Sequence, residues 1–242
     1  DTGFLPVGEP HHSIGFDGIK GAARFHNENS PPDRKNLRKI KLHPWTDTEG
    51  HILIICQTFR GAGLRHMKWE EARDYFLDLP KRIRQYTDRP IIFRLHPNQG
   101  RESNSLDQAN KNSKTDNIPD VKFVTGKRSN SKHTKGIEHH FPKTYCTITR
   151  TSAGCLDGIL KGIPSISEDE CNIANPVCDR DLSNIENILK PDRDQWVNDL
   201  CYAEWSVEDM KKGRCWKHLR SHVNKQLTQA RKSMGIYATS VQ

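Results

Sequence analysis

The sequence predicts an α/β fold with Rossmann-like parallel sheets, and three stretches carry that expectation. Residues 51–57, HILIICQ, and 91–97, IIFRLHP, are apolar runs of the kind found in strands covered on both faces, as in a parallel sheet. Between them Trp69, Ala72, Phe76, Leu79, Ile83 and Tyr86 recur at spacings of three and four, which gives a helix one apolar face. Tyr145 to Glu168 reads as a strand, a tight turn, a helix and a second strand.

That last unit organises the chain. Residues 145–149 are β-prone, and Thr151 and Ser152 offer hydroxyls suited to N-caps. Ala153, Leu156, Ile159 and Leu160 share one helical face. Gly162 is a helix stop and Pro164 forbids continuation, so a strand begins near Ile163. A helix that opens with two hydroxyls and free N–H groups straight after a strand suits a phosphate, and Arg150 adds positive charge there. An ordinary crossover without a ligand has the same spacing.

Composition narrows the function classes. The chain has 242 residues, is 33% hydrophobic and carries a formal charge of +8, which favours an anionic partner such as a nucleotide or nucleic acid. Its mean hydropathy of −0.82 is polar, and no run approaches the roughly 18 apolar residues of a membrane span. No signal peptide is visible. Cys56, Cys146, Cys155, Cys171, Cys178, Cys201 and Cys215 are odd in number and form no CxxC pair. They suit reduced cytosolic thiols better than disulfides or structural zinc.

The remaining elements follow in order. Residues 1–25 are glycine-rich, with apolar anchors from Phe4 to Phe25, and His12 and Asp17 are acid–base candidates. Residues 27–50, with Pro31-Pro32 and several lysines and arginines, read as a surface connector. The first strand runs into Gln57-Thr58-Phe59-Arg60-Gly61, a glycine-containing loop of the kind where α/β proteins bind ligands. Pro80 is expected to kink or split the helix that follows. Arg94 and His96 share one side of the next strand near its end. Burying them requires a partner, either an anionic ligand or a carboxylate of the same protein.

Residues 98–120 are nearly free of large apolar side chains and read as a long loop, and 121–124 as a short strand. Residues 127–140 are basic. Lys127, Arg128, Lys132 and Lys135 could contact a phosphate backbone, although no aromatics interleave to stack on bases. Glu168 and Asp169 follow the strand at 164–167, where such folds commonly hold a ribose hydroxyl. A helix with Trp196, Val197 and Leu200 follows. Ser206 and Asp209 then resemble a capping box, Gly213 is a stop, and Trp216, Leu219, Val223 and Leu227 define a final amphipathic helix.

The segments TITRTSAGCLDGILKGIPSISEDE and RDQWVNDLCYAEWSVEDMKKGRCW resemble a family of phage-encoded glycosyltransferase-like proteins, related in style to capsule-synthesis transferases. GFDGIKG at 15–21, the ILIICQ strand and RLHP at 94–97 occur in the same order in that family, so the likeness covers most of the chain. It implies a GT-B-type architecture with a reduced N-terminal half, and transfer of a sugar from a nucleotide-sugar to a hydroxymethylated pyrimidine of phage DNA. The implied division is an acceptor-side region at 1–90, a nucleotide-sugar-binding domain at 91–205, and helices at 206–242 packing back across the cleft.

The same likeness implies a protein acting in the cytoplasm of an infected bacterium, without a metal or cofactor beyond the donor. A departing diphosphate needs stabilising charge, assigned to Arg94, His96, Arg150, Thr151 and Ser152. Glu168 or Asp169 would hold the ribose. Gln57 and Arg60 would face the cleft, and Asp17, then His12, would serve as base. Rival expectations are a non-catalytic basic nucleic-acid-binding module, a degenerate transferase serving as an interaction protein, and a transferase acting on a surface polysaccharide.

Overall fold

A computed structural model describes residues 5, 11–15, 27–64, 66–96, 118–125 and 136–233. Its centre is a five-stranded parallel sheet in the order β4-β3-β2-β5-β6. The strands are β2 (His51–Ile55), β3 (Ile91–Leu95), β4 (Val121–Thr125), β5 (Thr144–Ile148) and β6 (Ser165–Ile166). Counted from β2, the order is 3-2-1-4-5, the order of a Rossmann-like sheet. A separate antiparallel ribbon pairs β1 (His11–Ser13) with β7 (Glu204–Ser206).

The apolar runs become strands because both sheet faces are covered. On one side Ile52, Ile54, Phe93 and Ile148 pack against Phe76, Leu79 and Ile83 of α2 (Trp69–Ile83). On the other, Leu53 and Ile55 pack against Phe141 and Ile163. Phe76 is fully buried and stacks on Phe59 at 6.1 Å between ring centroids. Truncating such a ring costs about 3–5 kcal/mol.

Pro80 lies inside α2, which continues unbroken past it to Ile83. Arg84 N–H still bonds the Pro80 carbonyl at 3.1 Å, so the turn beyond the proline is intact. The expected split does not occur, and the helix forgoes only the bond that the proline nitrogen would have donated toward Phe76.

The division expected at residue 90 falls between hydrogen-bonded neighbours. β2 pairs in parallel with β3 and β5 and is the middle strand of the sheet. The stretch 27–50 is also more than a connector. It contains α1 (Asp33–Leu37), and Ile40 is buried. Arg38 is nearly buried, with its Nη2 donating to Glu204 Oε2 at 2.6 Å, and Glu204 is fully buried.

The central unit folds as β5, α3 (Gly154–Leu160) and β6. Gly162 takes φ +86° and ends α3, and a Cβ there would lie 1.9 Å from the Pro44 carbonyl oxygen. Beyond β6 come α4 (Asp194–Cys201), α5 (Val207–Lys211) and α6 (Arg214–Ser233). The hydroxyl of Ser206 accepts from Asp209 N–H at 3.1 Å and caps α5, and Gly213 at φ +70° separates α5 from α6. On α6 the expected apolar face is partly open, with Trp216 61% exposed and Leu227 49%. All seven thiols are free, and among the described residues no helix is long and apolar enough to cross a membrane.

Candidate functional site

The crossovers leave β2 and β5 in opposite directions along the sheet. α2 carries the chain from β2 to β3, and α3 carries it from β5 to β6. The two neighbouring strands therefore open a crevice outside their carboxyl ends, the usual ligand position in such sheets. Gln57 follows β2 and Arg150, Thr151 and Ser152 follow β5, so four of the expected residues meet there.

Gln57 and Thr151 interlock. Thr151 N–H donates to Gln57 Oε1 at 2.7 Å, and Gln57 Nε2 donates to Thr151 Oγ1 at 2.9 Å. The Thr151 hydroxyl then donates to the Gly63 carbonyl at 2.8 Å. A Cβ on Gly63 would lie 2.9 Å from that hydroxyl, so glycine permits the approach. One layer below, the buried Thr149 hydroxyl donates to the Ile55 carbonyl at 2.8 Å.

These contacts correct the expected capping at Thr151, whose hydroxyl turns to Gly63, and leave Ser152 as the hydroxyl at the helix start. α3 begins at Gly154, and its N-cap is Ala153, whose side chain makes no capping bond. Gly154 N–H bonds Ser152 Oγ at 3.2 Å, and Cys155 N–H bonds the Ser152 carbonyl at 3.3 Å. The N–H and hydroxyl of Thr151 are consumed internally, because Gln57 reaches them across the strand pair. Thr151 braces the crevice, and the charge at its mouth comes from the residues around it.

Arg150 leads that set. Its Nε lies 2.8 Å from Asp169 Oδ2, and its guanidinium sits 4.6 Å above the Tyr75 ring. The Arg150 carbonyl accepts from Ser167 Oγ at 2.6 Å and from Asn172 Nδ2 at 3.0 Å, which ties this loop to the one after β6. Asp169 is nearly buried and also meets His66 Nε2 at 2.9 Å. Glu168 pairs with Arg82 of α2. Burial, reinforced by the Glu168 charge, pushes the Tyr75 hydroxyl far up from its ordinary range, so it stays protonated. The two carboxylates expected to meet a ribose are thus held by arginines of the same chain.

The other expected residues divide, with Arg60, Arg94 and His96 at or just beyond the carboxyl ends of β2 and β3 and His12 away from them. Arg60 is exposed and stacks over Trp69, 4.7 Å from the ring centroid. Arg94 is buried on the face opposite Phe93, where burial lowers its guanidinium pKa and Glu138 opposes that effect. His96 directly follows β3 and is half-buried. His12 pairs with Trp205 in the β1–β7 ribbon, apart from the parallel sheet. Asp17, Lys127, Arg128, Lys132 and Lys135 lie outside the described residues.

A second concave region of about 500 Å³ is lined by Lys39, Lys41, Glu138, Phe141, Asp157 and Lys161 among others. Burial, with a contribution from the Glu138 charge, pushes the Asp157 carboxyl up to about 6. Nearby, His51 falls to about 4 through burial and the positive charges of His140 and Lys143. The Thr144 hydroxyl bonds the His140 carbonyl at 2.8 Å and lies 3.1 Å from His51 Nε2. A hydroxyl has one hydrogen, so His51 donates from Nε2 and is the Nε2–H tautomer.

Sequence reading missed Tyr75, Arg82, His66 and Cys171 as members of the charged rim. Tyr75 sits beside the helix's apolar stripe at the position before Phe76. His66 and Asp169 are separated by 103 positions, and no local pattern joins them.

Fold and crevice together define a Rossmann-like α/β protein with a charged rim at the switch point of one parallel sheet. Comparison with protein families, characterised proteins and solved structures finds no match for the chain.

Proposed function

We propose that the chain is a glycosyltransferase that binds a nucleotide-sugar at the carboxyl ends of β2 and β5 and transfers the sugar to a hydroxyl. The acceptor we propose is a hydroxymethylated pyrimidine in phage DNA, and the architecture we propose is GT-B-type with a reduced N-terminal half. Support comes from one arrangement above all. At the switch point of a 3-2-1-4-5 parallel sheet, the Gln57–Thr151 interlock fixes the turn that carries Arg150.

Asp169 engages Nε of Arg150, and a guanidinium has further N–H donors for a diphosphate. In this reading Arg150 stabilises the charge of the departing nucleotide, and Gln57 with Thr151 holds the loop rigid while it does so. Tyr75 supports the guanidinium from below. Asp17 remains the proposed base for the acceptor hydroxyl. The formal charge of +8 suits a DNA acceptor and also suits simple nucleic-acid binding.

A thermal-shift screen of the whole chain with UDP, GDP, CMP and their sugars tests the donor site, because ligands that bind the native state raise its melting temperature. A shift with one nucleotide, lost in Arg150→Ala, directs an assay of sugar transfer to hydroxymethylcytosine DNA. No shift with any nucleotide, but one with unmodified DNA, replaces the transferase with a binding module.

A further inference from the structure

We infer that His66, Asp169 and Cys171 form a binding site for a single divalent transition-metal ion of the zinc type. Each offers one ligand atom, and the three atoms all lie within 4.8 Å of one another. Imidazole nitrogen, carboxylate oxygen and thiolate sulfur are the three donor types that zinc accepts from proteins. A tetrahedral ion with ordinary bond lengths spaces such atoms about 3.3–3.8 Å apart, so closure needs movements of well under a side-chain length.

The ligands are held independently of any ion. Cys171 N–H donates to Asp169 Oδ1 at 2.8 Å, and Asn172 N–H bonds the Asp169 carbonyl at 3.1 Å, which makes a tight turn of the segment. That turn leaves Asp169 Oδ2 facing His66 Nε2 at 2.9 Å. Arg150 sits behind the same oxygen at 2.8 Å, in the position of an outer partner that orients a ligating carboxylate.

Charge permits the arrangement despite that arginine. A dication with one thiolate and one carboxylate is neutral, so the guanidinium faces no net positive charge. Binding releases the thiol proton of Cys171 and replaces the His66–Asp169 hydrogen bond, because a ligating Nε2 carries no hydrogen and the neutral imidazole then holds its proton on Nδ1. Asp169 is nearly buried, while His66 is exposed and Cys171 is partly so. One side of the ion would therefore stay open to solvent, giving three protein ligands and a vacant fourth position, as in sites that bind water or substrate.

The inference is independent of the sugar-transfer proposal, because metal alone is the probe. The whole chain is titrated with Zn²⁺ against a chromogenic chelator and with Co²⁺ under ultraviolet and visible absorption. The expected result is one equivalent bound, with a sulfur-to-cobalt charge-transfer band. Cys171→Ser should abolish that band, and Cys171→Ser and His66→Ala should each weaken binding at least about tenfold. Both positions are at least partly exposed, so the variants should keep the native circular dichroism spectrum. If wild type and both variants bind with the same affinity and spectrum, or if wild type binds no equivalent at micromolar metal, the site is an ion-pair cluster only.

Discussion

Gln57 and Thr151 hold each other with two reciprocal hydrogen bonds, side-chain carbonyl to backbone N–H at 2.7 Å and side-chain amide to hydroxyl at 2.9 Å. The pair ties the ends of the two strands that border the switch point. It uses a donor and an acceptor of one side chain, which only an amide of that length supplies.

Gln57→Ala removes both bonds and leaves the largely buried Thr151 N–H unpaired. The expected loss is about 1–3 kcal/mol in denaturant unfolding, the cost of an unsatisfied buried group. Gln57→Glu keeps the acceptor and removes the donor, so it should lose less. A change below about 0.5 kcal/mol in Gln57→Ala would show that the interlock does not brace the crevice.

Acid stability should reflect two opposed groups. His51 has a folded pKa near 4, below its unfolded 6.5, so it favours the native state above 6.5 and loses that contribution as pH falls toward 4. Asp157 has a folded pKa near 6, above its unfolded 3.8, so its contribution is present below 3.8 and disappears as pH rises through 6. The two slopes oppose each other between about pH 4 and 6. His51→Gln should flatten the acid loss of stability and Asp157→Asn should steepen it, measured by denaturant midpoints across pH 4–7. Parallel profiles for wild type and both variants would refute the pairing.

The buried pair of Arg38 and Glu204 lends itself to a double-mutant cycle. Glu204 is fully buried and also accepts from Leu5 N–H at 3.0 Å. Arg38→Met strands its charge, with an expected loss of about 3–5 kcal/mol. Adding Glu204→Gln removes that charge and should recover a substantial part. Additive losses would mean that the two residues do not act as a pair.

Gly162→Ala places a side chain at φ +86° with its Cβ 1.9 Å from the Pro44 carbonyl oxygen. The left-handed backbone alone costs about 1–2 kcal/mol and the contact adds to it. Thermal unfolding should show a clear drop in Tm. An unchanged Tm would mean that the segment from His43 to Thr46, which bonds Leu160 and Gly162, shifts freely.

Much of the parallel sheet was readable in the sequence because burial on both faces leaves a local signature. Ile52, Leu53, Ile54 and Ile55 are apolar in succession, as a doubly covered strand requires. Gly162 and Gly213 announced helix ends through conformations that other residues avoid. The sheet order was not local, since nothing in residues 51–57 says that β2 lies between β3 and β5. The crevice was legible as a place, through Gln57, Arg150, Thr151 and Ser152. Its pairing was not, because Glu168 and Asp169 found partners in Arg82, Arg150 and His66 from distant positions. Arg38 was hidden for the same reason, since a cation in a basic stretch reads as solvated until its carboxylate is found.

The central position of β2 also shapes how the chain matures during synthesis. Its neighbour on one side, β3, begins at Ile91, whereas its neighbour on the other, β5, begins only at Thr144, after β4 has completed the first half of the sheet. Until then the β5-facing edge of β2 is an unpaired row of N–H and C=O groups flanked by isoleucines. Long-range parallel pairing closes slowly, and nascent chains are most prone to association in that interval. Ribosome-bound fragments ending before Thr144 should therefore depend on holdase chaperones, and release from them should coincide with the appearance of β5.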